Sequence, residues 1–96
     1  MNLRDRVREH RQQLIAIVVA HGGSQPRLFG SVARGDDTPE SDVDLLVSVQ
    51  PGTTLFDLAR MEVHLEELFG RTFDVVPDTG LGEPFVATVT RDVVDV

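Results

Sequence analysis

The stretch LFGSVARGDDTPESDVDLLV, residues 28–47, decides how the rest of this chain is arranged. An apolar strand end leads into Gly30-Ser31, and Asp42 and Asp44 follow with one residue between them. Carboxylates at positions i and i+2 of a strand point to the same face, roughly 6.5–7 Å apart, so both can reach one cation or a close pair of cations. A Gly-Ser corner that opens a helix presents backbone N–H groups that bind phosphate. The stretch therefore predicts a metal-dependent site for a nucleoside triphosphate.

The composition limits the size and the class of the protein. With 96 residues, the chain is long enough for one domain, residues 1–96, and too short for two. The formal net charge is −7, so a surface for the nucleic-acid backbone is not expected. The chain has no Cys, no signal-peptide pattern and no long apolar run. We therefore expect a cytoplasmic protein that contacts neither nucleic acid nor a membrane directly.

Hydrophobic periodicity predicts a small mixed sheet with helices on one face. Apolar residues at helical spacing predict a long helix from Leu3 that Gly22 ends, and a second long helix from Thr53 or Thr54 to about Phe69. Strands are expected at residues 25–29, 42–49 and 72–76, a helical turn at 32–34, a connector at 78–82, a short helix at 83–91 and an edge strand at 93–96. This order favours an α/β (α+β) fold with both long helices on one face, leaving the other face free for acids.

Asp74 is a third acid that this arrangement brings towards the first two. It lies in the middle of the strand TFDVV and faces opposite to its apolar neighbours Phe73 and Val75. Taken alone, it could be a carboxylate on a solvated sheet face. On a strand about 4.8 Å from the one that carries Asp42 and Asp44, it would complete a cluster whose mutual repulsion is costly unless a cation lies within it.

Residues around this cluster have structural and functional interpretations. Arg34 is either a surface residue of the short helix or a ligand of triphosphate oxygens. Ser41 is interpreted as a structural support that hydrogen-bonds in the turn before Asp42. The three histidines lie on or beside the long helices and are expected to be neither ligands nor bases. Glu62 and the acidic residues that follow it on the second helix are expected to form a solvated face.

The Gly-Ser corner, the Asp-x-Asp strand and the later FDVV strand together resemble the nucleotidyltransferase signature of the DNA polymerase β superfamily. The pattern is similar to the minimal nucleotidyltransferases, the MNT proteins, over nearly the whole chain. This resemblance implies the polymerase-β-type nucleotidyltransferase fold. It also implies that a two-metal Mg²⁺ site is held by Asp42, Asp44 and Asp74, the last assisting deprotonation of the attacking hydroxyl, and that ATP is bound by Gly30, Ser31 and Arg34.

Many MNT proteins are antitoxins encoded beside a HEPN-domain ribonuclease toxin. The resemblance therefore implies a Mg²⁺-dependent protein adenylyltransferase that binds such a toxin and neutralises it by transferring AMP from ATP to a tyrosine. One alternative is an antitoxin that inhibits the toxin by binding alone. Another is a stand-alone nucleotidyltransferase for a small-molecule acceptor, which ranks last because larger relatives append a helical domain to complete that acceptor pocket.

Overall fold

The protein is described by a computed structural model that covers residues 2–79 and 91–96. The described residues form a four-stranded mixed sheet with helices packed against it. In chain order the elements are α1 (Leu3–Glu9), α2 (Arg11–Ala20), β1 (Gly23–Phe29), α3 (Gly30–Arg34), β2 (Val43–Val49), α4 (Leu55–Phe69), β3 (Phe73–Pro77) and β4 (Val94–Asp95). The strand order is β3-β2-β1-β4. β1 is antiparallel to both neighbours, whereas β2 and β3 are parallel. The predicted mixed sheet and its edge strand near the C-terminus are confirmed; residues 80–90, with most of the predicted 83–91 helix, lie outside the described residues.

The burial pattern of β2 separates the two faces of the sheet. Val43, Leu45 and Val47 are fully buried in the main core. The helices α2 and α4 cover them, with the fully buried side chains Leu14, Val18, Met61 and Leu65. Because side chains alternate along a strand, Asp44 and Leu46 face the opposite side. This side is the open face at Asp44, which is half-buried, whereas Leu46 is buried there against Phe29. The predicted separation of a helix layer from an acidic face is confirmed.

The first predicted helix is divided into α1 and α2, with the break at His10 (φ −107°, ψ 25°). Two arginines of α1 bind carbonyls at the C-terminal ends of other helices: Arg4 Nη1 donates to Ala33 O at 3.0 Å and Arg6 Nη2 to Phe69 O at 2.7 Å. These bonds hold α1 against α3 and α4, and apolar spacing alone does not reveal them. Among the helices of residues 2–79 and 91–96, none is long and apolar enough to cross a membrane.

Glu62 protects an edge of the sheet, so the prediction that it belongs to a solvated helix face is wrong. β3 is an edge strand, and an edge strand presents backbone N–H groups that lack a neighbouring strand. The Glu62 carboxylate accepts a hydrogen bond from the backbone N–H of Val75 at 2.9 Å. The side chain of α4 thereby satisfies a donor that would otherwise be open to pairing with another chain.

At the end of the sheet remote from Asp44, the side chains of Arg27, Ser48 and Asp78 form a hydrogen-bonded network. Asp78 Oδ2 accepts hydrogen bonds from Ser48 Oγ at 2.6 Å and from Arg27 Nη2 at 3.0 Å. The hydrogen bond from the Ser48 hydroxyl is the largest cause of the lowered pKa of the Asp78 carboxyl; burial opposes it, and the hydrogen bond and charge of Arg27 lower the pKa further. The network therefore favours the charged form of Asp78 in the folded protein.

Asp78→Asn is expected to destabilise the protein in a pH-dependent manner. Since the folded pKa lies below the unfolded value of about 3.9, the carboxylate stabilises the fold above that value, and this contribution disappears as the pH falls through the folded pKa. At pH 7 we expect a loss of about 1 kcal/mol in the free energy of unfolding, because the paired side chains are only 22% and 26% exposed. Urea unfolding at a series of pH values measures the loss, and Glu9→Gln, which changes an exposed carboxylate of α1, is the control. A loss that persisted unchanged in acid would contradict the assignment.

Candidate active site

Three aspartates meet on the open face where β2 and β3 begin. Asp44 and Asp74 are direct partners in the parallel pairing of these strands, and such neighbours lie about 4.8 Å apart. Asp42 directly precedes β2, two residues before Asp44, and so shares its face. The start of β2 is fixed by the N–H of Val43, which donates to Thr72 O at 2.9 Å. The structure thus brings together the three acids selected from the sequence.

Within this cluster, the surroundings of Asp44 raise the pKa of its carboxyl group. Asp44 is half-buried, whereas Asp42 and Asp74 are exposed. Burial raises the pKa of the Asp44 carboxyl, the negative charges of Asp74 and Asp42 raise it further, and the positive charge of Arg34 opposes them. Two neighbouring carboxylates therefore act on a third that is partly removed from water. Such a cluster favours the binding of a cation.

Asp44→Asn is expected to raise thermal stability at neutral pH. For a carboxyl group whose folded pKa is raised, stability is highest below the unfolded pKa and falls as the pH rises towards the folded pKa. The uncharged amide removes this loss. We expect a higher melting temperature than the parent at pH 7 and little difference below about pH 4, the unfolded value. Calorimetry without divalent cations measures it; a lower melting temperature at pH 7 would contradict the repulsion.

The Gly-Ser corner packs directly against the Asp44 carboxylate. Gly30 begins α3 with φ +72°, a backbone conformation that favours glycine. A Cβ atom at Gly30 would lie well under 3.0 Å from Oδ2 of Asp44. The absence of a side chain therefore lets the backbone of the corner approach the carboxylate, with Ser31 half-buried next to it. The backbone corner and the acids form one site.

Arg34 lies beside this site but is bonded to other acids. Its Nε donates to Asp36 Oδ2 at 3.2 Å and its Nη1 to Asp92 Oδ2 at 3.2 Å, with the side chain 45% exposed. Its charge acts on Asp44, as the pKa of that carboxyl indicates. The role of Arg34 in binding ATP stays a prediction.

The turn before Asp42 is held by Ser41, as the sequence predicts, and by Arg71, which sequence reasoning missed. Ser41 Oγ accepts from the N–H of Thr38 at 2.8 Å, and the N–H of Ser41 donates to Thr38 O at 3.0 Å. Arg71 Nη2 donates to Thr38 O at 3.0 Å and also to Ser41 O. No sequence pattern marks Arg71, because its partners are backbone carbonyls rather than acidic side chains.

The three aspartates are not arranged as a ready-made metal site. Within residues 2–79 and 91–96, no group of three or more His, Cys, Asp or Glu side chains is placed to hold a metal ion. Mg²⁺ ordinarily takes only one or two carboxylates and fills its other positions with water and substrate phosphates. Two of the three aspartates would supply that number of carboxylates, and their role as metal ligands stays a prediction. The rings of His21 and His64, on the helix side of the sheet, stack on each other with their centroids 5.3 Å apart. That the histidines are neither ligands nor bases stays a prediction.

The family to which the chain belongs agrees with this site. The family model described as the nucleotidyltransferase domain matches residues 1–94. The chain therefore belongs to the nucleotidyltransferase domain family, and its class is that of enzymes that transfer nucleotidyl groups.

Two similar proteins bear names that specify the kind of nucleotidyltransferase they are. A Methanocaldococcus jannaschii protein, assigned by its name to the protein adenylyltransferases, is 32% identical over 90 residues, which are 94% of this chain and 97% of that protein. The protein adenylyltransferase MntA of Thermococcus cleftensis is 32% identical over 91 residues, which are 86% of this chain and 92% of that protein. The predicted membership among nucleotidyltransferases is confirmed.

Solved structures show the same fold. A minimal nucleotidyltransferase structure matches with a TM-score of 0.85 and 36% identity, covering 100% of this chain and 97% of that chain. A chain in the crystal structure of a toxin–antitoxin with AMP-PNP matches with a TM-score of 0.75 and 16% identity, covering 88% of this chain and 69% of that chain. The second match shows the fold alone. The predicted minimal nucleotidyltransferase fold is confirmed.

Proposed function

We propose that this chain is a Mg²⁺-dependent protein adenylyltransferase and an antitoxin, which transfers AMP from ATP to a tyrosine of a HEPN-domain ribonuclease toxin. The observation that carries the proposal is the pairing of Asp44 with Asp74 beside the Gly30 corner. Family membership supports nucleotidyl transfer, and the names of the relatives support AMP as the group and protein as the acceptor. The fold shared with a toxin–antitoxin structure supports a toxin as the partner.

Each part of the site would make one kind of contact with ATP. Asp42 and Asp44 would hold the metal-bound triphosphate, and the backbone N–H groups of Gly30 and Ser31 would donate to its phosphate oxygens. Arg34 would add a charged contact by exchanging its exposed carboxylate partner for a phosphate oxygen. Mg²⁺, when bound, would neutralise negative charge on the triphosphate.

Asp74 would act on the acceptor. In the transfer, the tyrosine oxygen forms a bond to the α-phosphorus while the bond from that phosphorus to the bridging oxygen breaks and pyrophosphate leaves. The phenol proton passes to the carboxylate of Asp74, which is exposed beside Asp44 and is thus accessible to a group on a partner's surface. Positioning and electrostatic stabilisation supply most of the rate enhancement in such a site.

The test is the intact mass of a co-expressed HEPN partner after incubation with this protein, ATP and Mg²⁺. We expect a gain of one or more AMP units that maps to tyrosine and is abolished when EDTA removes the metal. A stable complex on size exclusion without a gain in mass would instead favour inhibition by binding alone. Neither complex nor gain would overturn the choice of partner, and turnover of small acceptors by the isolated protein would favour the stand-alone enzyme.

A further inference from the structure

We infer that Arg71 is a positioning residue of the candidate active site, which fixes the turn that presents Asp42. The inference rests on the proposed function. Arg71 lies in the connection between α4 and β3, three residues before Asp74. From there its Nη2 donates to the carbonyl oxygens of both Thr38 and Ser41, the two residues that close the turn.

The turn at residues 38–41 depends on Arg71 for its attachment to another element. Its internal bonds join Thr38 to Ser41 through backbone and hydroxyl groups, and these shape the turn without fixing its place. Among the described residues, the hydrogen bonds that join residues 38–41 to another element come from Arg71. Without that side chain, the turn would keep its shape and lose its anchor.

A displacement of the turn would move Asp42, because Asp42 connects the turn to the sheet. It lies outside β2, whose first paired residue is Val43, and it follows Ser41 directly. The sheet thus holds the chain after Asp42, and Arg71 holds the chain before it. The same guanidinium belongs to the segment that enters β3, so it also relates the position of Asp42 to that of Asp74.

The surroundings of Arg71 indicate that its role is neither to form an ion pair nor to pack in the core. Within residues 2–79 and 91–96, the ion pairs do not include Arg71. The side chain lines a cavity of about 380 Å³ that is open to solvent, together with Arg6 and the residues at positions 37–39. Truncation would enlarge this open cavity rather than create a void in the core, so we expect the variant to fold.

The test is a double-mutant cycle of Arg71→Ala with Asp42→Asn, measured by the affinity for Mn²⁺·ATP in electron paramagnetic resonance and by the rate of AMP transfer. Removing a residue that orients a metal ligand typically weakens metal binding or activity by 10–100-fold, and we expect about tenfold for Arg71→Ala. In the Asp42→Asn background the same change is expected to have little further effect, because Arg71 acts through Asp42. Arg71→Lys, which can place one nitrogen near both carbonyls, is expected to restore part of the loss. Arg60→Ala removes the same charge from the exposed side of α4 and is expected to behave as the parent.

The outcomes separate this inference from the proposed function. Unchanged Mn²⁺·ATP affinity in Arg71→Ala, or losses that simply add in the double variant, would overturn the positioning role and leave the proposed function intact. If Asp42→Asn itself bound and transferred like the parent, the site assignment would fail, and the inference with it. Should circular dichroism show that Arg71→Ala does not fold, the cycle is run with Arg71→Lys. A smaller coupling of the same sign is then expected, and additive losses would again overturn the inference.

Discussion

Asp42→Asn and Asp44→Asn are each expected to slow AMP transfer by about 10²–10⁴-fold while the protein stays folded. Each change removes one negative oxygen donor from the proposed metal site. Loss of metal-dependent charge stabilisation is worth several kcal/mol, and each 1.36 kcal/mol corresponds to about a factor of ten in rate. The fold is retained because burial and, next, the negative charges of its neighbours raise the pKa of the Asp44 carboxyl, so an uncharged amide in this cluster lowers the cost of folding. Initial rates with labelled ATP and the purified partner measure the effect.

A matched substitution controls for the loss of one carboxylate from the sheet. Asp95→Asn changes an exposed aspartate of β4, two strands away from β2, and is expected to leave the rate unchanged. A loss that is equal in all three variants would indicate a nonspecific effect of net charge. A double variant of Asp42 and Asp44 that still labelled its partner at the parent rate would exclude this site.

Gly30→Ala is expected to abolish most of the activity and to lower stability by about 1–3 kcal/mol. The stability loss arises from placing a side chain at φ +72°. The activity loss has a different cause, because the new Cβ atom would overlap the Asp44 carboxylate and force it out of its present position. Urea unfolding measures the first effect and the rate of AMP transfer measures the second.

Gly70→Ala is the control for backbone strain alone. Gly70 has φ +68° at the end of α4, and a Cβ atom there would meet nothing within 4 Å. We therefore expect a similar loss of stability with nearly full activity under conditions where both variants are folded. Equal activity of the Gly30 and Gly70 variants would show that the close approach to Asp44 has no role in transfer.

The sequence predicts those parts of the site that depend on local chain geometry. The apolar residues of β2 predict a buried strand, and alternation along it predicts that Asp44 faces away from Val43 and Leu45, on the open face. The apolar stripe of α4, from its Thr54 cap to Gly70, predicts the crossover that returns the chain to the same sheet. The meeting of Asp74 with Asp44 follows from these two features and is confirmed by the strand register.

The contacts that the sequence does not predict are those between side chains and distant backbone groups. Glu62 binds an edge N–H of β3, Arg71 binds carbonyls of the turn before Asp42, and the arginines of α1 bind the ends of two helices. A carbonyl or an N–H exists at almost every residue, so no residue type or spacing marks the partner. The division of the first helix at His10 is not predicted either, because neither Gly nor Pro stands at the break.

The parallel pairing of β2 with β3 also has a consequence for how this protein acquires activity. Asp44 and Asp74 are 30 residues apart in the chain, and the parallel strands β2 and β3 are joined by a crossover that contains α4. Closing so long a segment slows the formation of non-local contacts during folding. An intermediate with only β1 and β2 formed would hold Asp42 and Asp44 but not the third acid. Catalytic competence is therefore expected to appear late, at the step that completes the native chain topology.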